Sequence, residues 1–210
     1  MRWDSTLARL AVLVPLLYFG TPLAAASTWP AYSHVTRYAS ELGGPEAPHP
    51  AIFNTGIIVM GVVCVLSAFG LHASARRAGG NGVLSALGAV CVGLFGVSMI
   101  MGGAFPMPNE LHGGFGLGFA QLPAPLFFAL ALRGRPGAGL LSAVLLASFA
   151  FMLVTLAVMM GVGHLVTRAN VGLWQRANAL AMFPWVGFAG AALAARSDAV
   201  AGGAHPSLSM

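Results

Sequence analysis

Six apolar runs, at about 7–26, 50–72, 82–104, 113–132, 138–160 and 172–195, constrain this chain more than any other feature. Each is roughly 20 residues, enough to cross about 30 Å of hydrocarbon as a helix. Strands are excluded by the length and continuity of the runs. Helical periodicity adds little, because lipid-facing helices are apolar nearly all round. Composition agrees: 58% of the 210 residues are hydrophobic and only 7% are charged, whereas soluble domains carry about a quarter charged residues. The expected fold is therefore all-α, a polytopic transmembrane bundle of six helices forming one domain over 1–198. A small, polar tail at 199–210 reads as disordered, with His205 solvated.

The formal net charge is +5, yet the ten basic residues are all arginine and scattered, so no basic stripe forms for nucleic acid. The charge reads as topology. With the N-terminus inside, Arg2, Arg9, Arg76, Arg77, Arg133, Arg135 and Arg196 fall on the cytoplasmic side, against Arg37, Arg168 and Arg176 outside. This positive-inside bias places both termini in the cytoplasm of an inner-membrane protein. The first run also resembles a secretory signal, with a basic start and small residues at Ala24, Ala25 and Ala26. A retained helix is the preferred reading, and both options leave the next loop outside. Cys64 and Cys91 lie within apolar runs and read as small core residues. Met99, Met101, Met159 and Met160 read as apolar filler, and Trp3, Trp29, Trp174 and Trp185 as interfacial anchors.

The polar residues collect on the outer loops. The first, STWPAYSHVTRYASELGGPEAPHP, holds His34, Arg37, Ser40, Glu41, Glu46 and His49; the second, FPMPNELHGGFG, holds Asn109, Glu110 and His112; the third, GVGHLVTRANVG, holds His164, Arg168 and Asn170. Asn54, Gln121, Gln175 and Arg176 lie just inside the adjoining helices. The inner connections, ARRAGGNG and RGRPGAG, are short and bland.

Local chemistry gives FPMPNELHGGFG a grammar. Pro106 and Pro108 end the third helix, since proline supplies no N–H. Asn109 caps the fourth, Glu110 suits its positive dipole end, and His112 sits in its first turn as a neutral imidazole at the mouth of the bundle. Asn170 is expected to cap helix six, which buries Arg176 below the interface. An arginine there needs a partner, and the expectation is a contact with Glu41. Gly114 and Gly118 have the spacing that lets membrane helices approach closely.

Three stretches, SELGGPEAPHPAIFNTG at 40–56, FPMPNELHG at 105–113 and GLWQRAN at 172–178, together resemble the bacterial six-helix membrane family catalogued as domain of unknown function 998. The resemblance spans about 10–195. It departs where Met107-Pro108-Asn109 stands in place of the acidic residue that usually follows the FP pair. It implies the six-helix architecture and points to Ser40, Glu41, Asn54, Pro106, His112 and Arg176, without implying an activity.

The expected working site is an outward-facing polar pocket between helices 2, 4 and 6, drawn from Ser40, Glu41, Asn54, Glu110, His112 and Arg176. Four readings are open for it. It is a structural plug locking the outer loops; or an enzyme acting on a lipid or small amphiphile, with His112 as base or metal ligand, Glu41 or Glu110 as second acid–base group and Arg176 as anion clamp. It is a haem or metal site drawing on His34, His112 and His164; or a small transporter, which the nearly charge-free helix centres disfavour as an ion path. No metal motif is assigned, membrane lipids are the expected partners, and the cofactor and oligomeric state are unknown at this level.

Overall fold

The computed structural model describes residues 3–202. Helices α1 (Trp3–Leu10) and α2 (Leu13–Ala26) make the first span, α3 (Pro50–Arg77) the second and α4 (Gly82–Ala104) the third. The fourth combines a 3-10 segment, Glu110–Gln121, with α5 (Ala124–Ala131). The fifth is α6 (Gly139–Met159), and the sixth joins α7 (Val171–Met182) to α8 (Pro184–Ala201). All six are long and apolar enough to cross a membrane, and no strand occurs among the described residues. The chain is a multi-pass, all-α membrane bundle. The expected tail at 199–210 lies outside the described residues from 203 onward, and α8 continues to Ala201.

Helix α3 is the hub, packing on α1, α2, α4 and α8. It starts with Pro50 at its first position, where the missing N–H costs nothing, and ends on Arg76 and Arg77, which suit the negative dipole end. Helix α4 starts on Asn81, whose side chain accepts the Leu84 N–H at 3.0 Å. The two helices touch backbone to backbone where Gly61 faces Gly96; a Cβ on either would press on the other's carbonyl. Helix α1 is equally close to Gly70 of α3 and Gly190 of α8.

The arginine-rich end is bolted together. Asp4 is fully buried and meets Arg77 Nε at 2.6 Å and the Ser197 hydroxyl at 3.3 Å, while Arg9 pairs with Asp198 and Arg196 donates to the Pro136 carbonyl. Both ends of the described chain meet here, as six spans require.

Three expected helices are broken, the first at Ala11 and Val12 between α1 and α2. The fourth run does not begin as an α-helix: Gly114, Phe115 and Gly116 have φ of 56°, 54° and 77°, in the left-handed region. Gly114 and Gly116 adopt that path freely, Phe115 between them does so at a steric cost, and α-helix resumes only after Pro123. The sixth run breaks at Phe183 because Pro184 cannot donate into the preceding turn. Trp185 also departs from expectation. It is 1% exposed and packs 6.4 Å from the Phe128 ring, in the core rather than at an interface.

Candidate functional site

The long loop between α2 and α3 folds down onto the start of α7. Leu173 N–H donates to the Val35 carbonyl at 3.0 Å, and Ala39 N–H donates to Gln175 Oε1 at 2.6 Å. Gly172 makes this approach possible, because a Cβ there would strike the carbonyls of His34, Val35 and Arg37.

Arg176 fastens the loop, though not as expected. No ion pair joins it to Glu41 among the described residues. Its guanidinium donates to Tyr32 Oη at 2.6 Å, to His34 Nδ1 at 3.0 and 3.3 Å, and to the carbonyls of Gly172 and Arg37 at 3.0 and 3.2 Å. Neutral acceptors thus engage every nitrogen of the fork. Glu41 is committed elsewhere: one oxygen caps the Tyr38 N–H at 2.7 Å and the other meets Arg37 at 3.2 Å. Arg37 also reaches Glu46 at 3.3 Å and lies over the Trp29 ring.

Electrostatics follow from that geometry. An arginine only donates, so His34 Nδ1 must accept. Burial, and then the neighbouring Arg176 charge, push the His34 pKa down from its ordinary value. Burial pushes the Tyr32 phenol up, partly offset by Arg176.

His112 sits in the second loop. Asn109 does cap this segment, accepting the Leu111 N–H at 2.9 Å. The His112 Nδ1 lies 3.1 Å from both the Gly102 and Phe105 carbonyls. Those two are acceptors, so Nδ1 carries a proton and donates to them. The carbonyls come free because α4 ends there.

Beneath the folded loop lies a cavity of about 260 Å³. Its polar groups are Ser40, His112, Gln175 and Asn178, with Tyr18 at one side; Phe53, Phe95, Met99 and Met182 supply apolar wall. Of the six residues expected to form the site, it brings together Ser40 and His112. Ser40 donates to Met107 Sδ at 3.2 Å. Asn54 stands apart, donating to the Gly43 carbonyl at 3.0 Å, with its Oδ1 buried and unpartnered. Glu41 borders a separate hollow with Glu46 and Met107, Glu110 is exposed, and Arg176 is consumed by the loop. The third loop contributes nothing here: His164 and Arg168 are exposed, and Asn170 stands at the N-cap position of α7 without a side-chain cap bond, using its amide within its own turn on Thr167 and Leu165. Among the described residues, no three His, Cys, Asp or Glu side chains group as a metal site.

A second hollow of about 210 Å³ adjoins the first, sharing Phe95, Met99, Asn178 and Met182. The irregular stretch Gly113–Gly118 and Gln121 line its far side. Irregular backbone at membrane depth is tolerated where protein covers it or it faces a cavity. Asn178 closes the stretch GLWQRAN but is not among the residues expected to form the site. Its signal was the spacing from Gln175, three residues away on one helix face. No curated protein and no solved structure matches the chain. The sequence pattern that defines the family described as "Protein of unknown function (DUF998)" matches residues 12–192, nearly the whole bundle, and the chain therefore belongs to the DUF998 family.

Proposed function

We propose that this protein binds a lipid or small amphiphile in the cavity under its folded loop, at the outward-facing end of an inner-membrane bundle with both termini cytoplasmic. The arginine asymmetry supports that orientation. The observation that carries the reading is the cavity itself. It has a polar side at Ser40, His112 and Gln175 and an apolar body of Phe53, Phe95, Met99 and Met182, which matches a molecule with a polar head and an apolar tail. Of the residues expected to do acid–base work, only His112 borders it, so binding is better supported than hydrolysis. The Arg176 cluster acts as the lock that holds the loop over the cavity.

The test is photolabelling in nanodiscs with a phospholipid carrying a diazirine in one acyl chain. Label on Met99, Met182 and Phe95 is expected, and Gly102→Leu should reduce it several-fold. A Cβ at Gly102 meets only ordinary contacts, 3.5 Å from the His112 carbonyl and 3.9 Å from its ring, and Gly102 lines the cavity, so the variant adds bulk there. Label confined to lipid-facing residues, unchanged by Gly102→Leu, would refute the reading.

A further inference from the structure

We infer that the deeper hollow selects an uncharged ligand bearing a hydroxyl or N–H donor, which hydrogen-bonds to Gln121 Oε1. This deepens the reading above and rests on it. Gln121 is fully buried in the middle of the fourth span. Its Nε2 donates to the Met182 carbonyl at 2.9 Å. That bond fixes the amide orientation, since a flipped amide would set two oxygens face to face. Oε1 then has no hydrogen-bond partner, a costly state for a buried amide oxygen.

The neighbouring amide of Asn178 is engaged elsewhere and makes no bond to it. Asn178 Oδ1 accepts from Thr155 at 2.8 Å and its Nδ2 donates to Met182 Sδ at 3.0 Å. The hollow therefore offers a ligand an acceptor at Gln121 and apolar wall from Phe95, Met99, Met152 and Leu156. No Arg, Lys, Asp, Glu or His lines it. A phosphate, carboxylate or ammonium group would enter without a counter-charge, at a high desolvation cost. A long-chain alcohol, or another neutral donor-headed amphiphile, meets both demands.

The test compares two probes in nanodiscs: a long-chain alcohol with a mid-chain diazirine, and its methyl ether, which accepts but cannot donate. In the wild-type protein the alcohol should label the Gly113–Leu122 and Met152–Leu156 segments about tenfold more than the ether, the factor expected for one buried hydrogen bond. Gln121→Met should remove the difference. Gly113→Leu leaves the Gln121 bond intact, and a Cβ there meets nothing within 4 Å, so it should fill the hollow and suppress both labels. Equal labelling by alcohol and ether, still suppressed by Gly113→Leu, would overturn the donor inference and leave amphiphile binding standing. Absence of label from both probes, with a lone water satisfying Gln121, would overturn this inference; absence of phospholipid label at Met99 and Met182 as well would overturn both.

Discussion

Arg176 donates to Nδ1 of His34 at 3.0 and 3.3 Å, joining α7 to a loop residue 142 positions earlier. Protonating that imidazole would remove the acceptor and set two cations together. The folded His34 pKa is lowered from 6.5 by burial and by Arg176. The unfolded chain therefore binds a proton that the folded one refuses, and stability falls as pH drops below about 6.5 towards the folded value. The melting temperature in detergent should be flat above pH 7 and decline as pH falls below 6.5. His34→Gln keeps an acceptor but cannot titrate, so it should flatten the acid limb. An unchanged limb in that variant would place the acid sensitivity elsewhere.

The same cluster ranks two charges that look alike in sequence. Arg176→Gln loses a network of charged hydrogen bonds, each worth about 1.5–3 kcal/mol, and should lower stability by several kcal/mol. Glu41→Gln keeps an oxygen for the Tyr38 N–H and loses only a partly exposed pair with Arg37, worth under about 1 kcal/mol. Thermal melts check the order. Trypsin adds a local readout, since Arg37 in the loop should become cleavable first in Arg176→Gln.

Loop docking also depends on a missing side chain. Gly172→Ala would press a methyl into the carbonyls of His34, Val35 and Arg37 and should cost about 1–3 kcal/mol. Gly139→Ala, at the start of α6 where a Cβ meets nothing, should be neutral or slightly stabilising. Similar melts for the two would argue that the loop sits less tightly on α7.

The spans were legible because about 20 consecutive apolar residues are a property of composition, independent of partners. The breaks inside them were only half legible. Pro184 stood in view in FPWVG, yet an unbroken apolar run hid its consequence. GGFGLGF was read for close packing, whereas Gly114–Gly116 turn left-handed and open a hollow. The partners of Arg176 are not legible in sequence: a buried arginine points to a carboxylate, whereas the structure uses carbonyls, a phenol and an imidazole, acceptors that carry no charge signature. Ser40 and His112 do reach one cavity, while Gln121 and Asn178 matter through contacts that only the folded breaks create.

The sharpest of those contacts joins Gln121 to the Met182 carbonyl at the Pro184 break. At the break, Val186 N–H turns to the Phe183 carbonyl, and the Met182 carbonyl it would otherwise meet is taken by Gln121 Nε2. Gln121→Leu alone leaves that carbonyl unpaired in the bundle interior and should cost about 1–3 kcal/mol. Pro184→Ala permits a regular helix, in which Val186 N–H can reach Met182 instead. The cost of Gln121→Leu should then shrink by about 1 kcal/mol in the Pro184→Ala background, a coupling typical of groups that share a partner. A double-mutant cycle on thermal stability in nanodiscs measures it. Equal costs in both backgrounds would mean that Gln121 is held for its oxygen alone, and that the helix break stands without its help.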